Sequence, residues 1–190
     1  MPMPVASRIR SVLPAALMLL LLDTPAIAQT ANLIAPVPPA GLSSATRFEI
    51  RFLEGMIDHH AMAVQMSRML QTQAIHPELR SLGDSIAAAQ TDEIKQMQAW
   101  LQQWYGRTHE PPAMMADMQA LDKLKGAAFE KQFLQMMIPH HSLAVRRAGE
   151  CQRRGKHPEL RQMCRNIVRS QQREIVTMKG WLCRWYHKCS

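Results

Sequence analysis

From residue 44 onward the apolar positions recur at spacings of three and four, the mark of helices that bury one face. In the segment FEIRFLEGMIDHHAMAV, Phe52, Leu53, Met56, Ile57, Ala63 and Val64 share a face, while Arg51, Glu54 and Asp58 lie opposite. The periodicity predicts one helix from about Ser44 to Thr72 and a second from about Pro77 to Tyr105. His76-Pro77-Glu78 marks the second start. Proline suits the first helical position, and an acidic residue in the first turn suits the helix dipole. So short a connection predicts an antiparallel hairpin.

The pattern returns 81 residues later without a gap. Phe48, Glu49, Phe52 and Leu53 recur as Phe129, Glu130, Phe133 and Leu134. His76-Pro77-Glu78-Leu79-Arg80 recurs as His157-Pro158-Glu159-Leu160-Arg161, and Trp104-Tyr105 as Trp185-Tyr186. Such constant spacing marks an internal duplication. Neither hairpin can cover its apolar face alone. The expected fold is therefore all-α: a four-helix bundle over residues 44–190, built from hairpins at 44–105 and 126–190 and a linker at 106–125. In the linker, MMADMQAL fits a short helix after Pro111-Pro112, and residues 29–43 read as a flexible leader rich in proline and alanine.

Inside the duplication, Met56-Ile57-Asp58-His59-His60 is echoed by Met137-Ile138-Pro139-His140-His141. At about 100° per residue, each pair of histidines flanks its methionine on the apolar half of the helix. Pro139 falls on the solvent side and is expected to bend its helix. The second helix of each hairpin carries an inward stripe containing Gln90, Glu93 and Met97, or Gln171, Glu174 and Met178. Folding the first hairpin about residue 75 sets Gln90 level with His60 and Glu93 beside Met56 and Ile57. His76 and His157 read as helix-start residues rather than ligands.

Buried polar groups cost about 1–3 kcal/mol each unless paired. The histidines must either hydrogen-bond the neighbouring carboxylates and amides or bind a metal. The candidate ligands are Met56, His59, His60, Glu93 and Met97, with Met137, His140, His141, Glu174 and Met178 from the second copy. Thioether sulfur suits Cu(I) or Ag(I), and imidazole suits copper in both oxidation states. Such binding is expected to weaken as protonation sets in, near pH ~6.5 for an ordinary histidine. Met114, Met115 and Met118 read as either a second soft-metal patch or the apolar side of a short helix.

Charge and targeting narrow the setting. Residues 43–105 carry 5 Lys/Arg against 7 Asp/Glu, whereas residues 124–190 carry 14 against 4. Arg8 and Arg10, the apolar run Ser11 to Leu22, and Ala26-Ile27-Ala28 form a signal-peptide pattern, with cleavage expected after residue 28. The run is too short for a comfortable membrane span, and no later transmembrane segment is expected. Export to the periplasm or outside the cell argues against a nucleic-acid partner for the basic half and favours disulfides. Four cysteines allow three pairings. Near-neighbour bridges Cys151–Cys164 and Cys183–Cys189 are the expectation, with soft-metal ligation around His187 as the alternative.

At these residues the sequence resembles the exported DUF305 proteins, ferritin-like four-helix bundles. The likeness rests on FLEGMIDHHAMAVQMS, FEKQFLQMMIPHHSLAV, the two HPELR segments, QTDEIKQMQAWL and QQREIVTMKGWL. It implies a bacterial envelope setting and copper or silver handling through Met56, His59, His60, Met137, His140 and His141. Two departures stand out: Arg147 occupies the position of Met66, and the four cysteines lack counterparts in the first copy. No Ser-His-Asp arrangement, phosphate loop or nucleotide motif is present, so the expected role is metal binding without catalysis. A metal-free interaction module is the alternative. A di-iron oxidase is disfavoured, because such sites need more carboxylates in the histidine layer than this pattern offers.

Overall fold

The computed structural model describes residues 41–113 and 116–189. The expected signal peptide, most of the leader, Met114 and Met115 lie outside the described residues. The described part is all-helical: α1 (Ser44–Gln73), α2 (Pro77–Tyr105), α3 (Ala116–Asp122), α4 (Gly126–Arg154) and α5 (Pro158–Tyr186). None of its helices is long and apolar enough to cross a membrane.

Local chemistry sets the helix ends. The Ser43 hydroxyl accepts a hydrogen bond from the Thr46 N–H at 3.1 Å and caps α1. Pro77 and Pro158 open α2 and α5, each followed by an acidic residue in the first turn. Gly106 ends α2 in the left-handed conformation, with φ 62°. At the matching end of α5, His187 adopts that conformation with φ 54°, which a side chain disfavours by about 1–2 kcal/mol. The Cys183–Cys189 bridge spans this turn. The helix α4 runs through Pro139 without interruption.

The helix α1 packs against α2, α4 against α5, and α1 against α4, whereas the backbones of α2 and α5 stay farther apart and only their side chains meet. The start of α1 lies at the end of α4, because Glu49 bonds the Lys156 and His157 N–H groups. Glu130, early in α4, bonds the N–H groups of Ile75 and His76 beyond the end of α1. So α1 and α4 run antiparallel, and the hairpins are related by a pseudo-twofold axis. The apolar core forms two blocks. One holds Phe52, Met56, Met97 and Ile167; the other holds Met66, Phe133, Met137 and Met178. Met118 of α3 is buried in the second block, so it serves as packing rather than as an exposed metal patch.

The two copies fill one close helix approach differently. In the first, a methyl group placed on Gly83 would stand 2.5 Å from the Leu70 side chain. The equivalent positions in the second copy are Cys151 and Cys164, which form a disulfide with a Cα separation of 6.2 Å. Both bridges follow the near-neighbour pairing, and among the described residues no cysteine is free. Metal ligation by the cysteines is therefore excluded while the bridges stand.

Candidate metal centre

Between the two apolar blocks lies a layer of four imidazoles. His60 and His141 are fully buried, and His59 is 8% exposed. Each inner ring is held by its own hairpin: His60 Nε2 lies 2.7 Å from Glu93 Oε2, and His141 Nε2 lies 2.7 Å from Glu174 Oε2. An ionised carboxylate only accepts, so each Nε2 donates. A neutral ring then keeps its lone pair on Nδ1, and neither Nδ1 has a partner. His59 and His140 meet across the hairpins in a stack with centroids 3.6 Å apart. Both nitrogens of both rings are buried and unpartnered, as are Gln90 Oε1 and Gln171 Oε1.

The sequence-based register places Gln90, rather than Glu93, opposite His60. The structure corrects it: the side chains slant along the helices, so Glu93 reaches His60, and Gln90 is buried without bonding it. Met56 and Met97 are buried in one apolar block, Met137 and Met178 in the other. The structure thus gathers the four histidines and two glutamates into one layer and sets the methionines in the hydrocarbon on either side.

Burial holds the His59 imidazole down to about 2, aided by the neighbouring His140, His60 and Arg147. Burial, with His141 and His60 nearby, holds His140 down to about 3. Both rings are therefore neutral throughout the physiological range, the state a metal requires. The protonation loss expected near pH 6.5 does not arise from these two rings. Among the described residues, no three His, Cys, Asp or Glu side chains converge as a ready metal cage. Stacking explains this, because lone pairs lie in the ring planes and two face-to-face rings cannot aim theirs at one point. Partnerless neutral imidazoles of this kind are the donor chemistry that copper takes.

The helix ends carry a second polar constellation that sequence reasoning missed. The Glu130 carboxylate accepts from the Ile75 and His76 N–H groups at 2.7 Å, from His76 Nδ1 at 2.6 Å and from the Tyr186 hydroxyl. At the other end Glu49 accepts from the Lys156 and His157 N–H groups, His157 Nδ1 and the Tyr105 hydroxyl. The His76 ring stacks on Trp185, and His157 on Trp104, each at 3.8 Å. Burial pushes both carboxyls up, yet these donors outweigh it and hold both below the usual range. Burial, together with the bonded carboxylate, pushes the two tyrosines up. Every corner side chain, the glutamate, histidine, tryptophan and tyrosine, is duplicated at the 81-residue offset, and that was the available signal. His76 and His157 are helix-start residues as expected, but their rings work as donors in these clamps.

The family defined as a domain of unknown function, DUF305, matches residues 49–182. The chain belongs to the DUF305 family. It is similar to CopM in its Cu(I)-bound form, at 38% identity and a TM-score of 0.67, over 73% of this chain and 97% of that one. CopM is also known in Ag-bound, Cu(II)-bound and apo forms. A DUF305 protein from Streptomyces coelicolor, described as secreted, is 29% identical over 72% of this chain and 91% of its own, with a TM-score of 0.65. The uncharacterized protein L153 of Acanthamoeba polyphaga mimivirus is 42% identical over 53 residues, covering 28% of this chain and 35% of L153.

Proposed function

We propose that this DUF305 chain is an exported metal-binding protein that sequesters or passes on copper, as Cu(I) or Cu(II), or silver, without catalysing a reaction. The observation that carries the reading is the buried imidazole layer with six partnerless ring nitrogens at the junction of the hairpins. Leaving such groups bare costs free energy that a bound ion returns. His59, His60, His140 and His141 are the proposed ligands, with Glu93 and Glu174 orienting the inner rings. Met56, Met97, Met137 and Met178 border the layer and supply thioethers for a soft ion. Support also comes from the similarity to CopM, known with Cu(I), Cu(II) and Ag bound. The four long helices are read as a ferritin-like four-helix bundle. The signal-peptide pattern and the two disulfides favour the periplasm or secretion.

Titration of the purified protein with Cu(I), Cu(II) and Ag(I) tests the reading. The parent protein should bind, and a variant with all four histidines changed to alanine should not. Unchanged stoichiometry in that variant would falsify it.

A second reading, a metal-free interaction module, is favoured by the lack of three converging metal-binding groups among the described residues. It requires identical melting temperatures with and without copper, since a ligand stabilises only if it binds the native state. A di-iron reading finds no support, because Glu49 and Glu130 spend both oxygens on the corner clamps.

A further inference from the structure

The inner rings of the imidazole layer, His60 and His141, are fully buried, so an ion needs a way in to them. The widest backbone separation lies between α2 and α5, whose side chains alone meet. There a groove of about 620 Å³ is lined by Glu93, Trp100, Glu159, Gln162, Met163 and Arg165, among others. Glu93 is the link between groove and layer. Its side chain is 22% exposed, and its Oε2 bonds the fully buried His60. Met163, half-buried at the same mouth, packs against the core block that holds Met56 and Met97.

The duplication supplies an internal control. The matching positions at the other end of the α2–α5 side are Glu174, Trp181, Leu82 and Asp84. The two sets of matching positions share a glutamate and a tryptophan. They differ in thioether against hydrocarbon and in cation against anion. We propose that the Glu93 mouth is the loading passage for a soft monovalent ion, with Met163 as the outer relay and Arg165 as a charge filter. The thioether attracts Cu(I) or Ag(I) and has little hold on hard cations. The Arg165 guanidinium, held by the Gln162 side chain at 3.1 and 2.5 Å, offsets part of the charge of the Glu93 and Glu159 carboxylates at this mouth, and the offset weighs twice as much on a divalent ion as on a monovalent one. The matching positions Leu82 and Asp84 have neither property. This inference rests on the proposed metal reading and adds the route and its selectivity.

The test separates rate from capacity. Transfer of Cu(I) from a coloured chelator is followed by stopped flow, and final stoichiometry by equilibrium dialysis. Met163→Leu should slow Cu(I) loading roughly tenfold while leaving stoichiometry intact, because a relay sets rate and not capacity. Leu82→Met should speed loading by opening a second route. Arg165→Asp, which copies Asp84, should speed Cu(II) uptake more than Cu(I) uptake. Parent-like Cu(I) rates in Met163→Leu at full stoichiometry would overturn the passage and spare the binding reading. Equal acceleration of both ions in Arg165→Asp would overturn the filter. Failure of the parent protein to take up any ion would overturn the binding reading and the passage with it.

Discussion

The protein buries polar groups in two places and treats them oppositely. At the ends, Glu49 and Glu130 are fully buried, and each accepts two backbone N–H groups, an imidazole and a phenol. At the middle, His59 is buried and His140 half-buried, and the buried ring nitrogens of both have no partner. The same chain builds both, so the bare layer does not reflect an inability to satisfy buried groups. The ends are polar for the sake of the fold. The middle is polar at the expense of the fold, the pattern expected where something else binds.

The contrast breaks most readily at the ends. Glu130→Ala or Glu49→Ala should destabilise the protein by about 3–5 kcal/mol in urea unfolding, because several buried donors lose their acceptor together. A cost below about 1 kcal/mol would mean that water replaces the clamp.

The disulfide tests the same corner from outside. Cys151 and Cys164 are 13 residues apart in sequence, and closing a loop of that size contributes about 3 kcal/mol. Selective reduction should lower the melting temperature accordingly and raise amide exchange first at Lys156 and His157. Exchange rising equally at Ile75 and His76 would show that the corners are not independent.

Acid probes the middle. In the metal-free protein His59 and His140 resist protonation down to about 2 and about 3, against 6.5 when exposed. Between these limits the unfolded chain binds protons that the native state does not, so stability falls as pH falls. At about pH 4.5 the loss should be on the order of 2 kcal/mol per imidazole. Chemical denaturation from pH 7 to 4 reads it. A His59→Leu, His140→Leu double variant should show a flatter profile, and an unchanged slope would place the proton uptake elsewhere.

The smallest effect has the reverse sign. At pH 7 without metal, that double variant should match the parent or gain about 1 kcal/mol, since apolar groups replace unpaired polar ones. Copper binding should be lost. A large destabilisation would show the stack to be structural.

Most of the helical frame was legible before any coordinates. The periodic apolar face predicted a first helix ending at about Thr72, and it ends at Gln73. The His-Pro-Glu signal placed the starts of α2 and α5, and near-neighbour pairing anticipated both disulfides. The wheel put the histidines inward, and His59, His60 and His141 are buried while His140 is half-buried. What failed was axial register: the hairpin argument set Gln90 rather than Glu93 against His60. Helical periodicity fixes rotation about an axis, but a shift of a few residues along it depends on side-chain slant and turn shape, which a single sequence encodes weakly.

The sequence by itself determined the duplication, the helix ends and which residues face inward, because these follow from local geometry and burial of apolar surface. Only the tertiary structure decided which buried polar groups find one another. Glu49 meets His157 across 108 residues, and His59 meets His140 across the pseudo-twofold axis. Such pairings depend on how the two hairpins dock. Packing geometry sets that docking, and no local pattern records it.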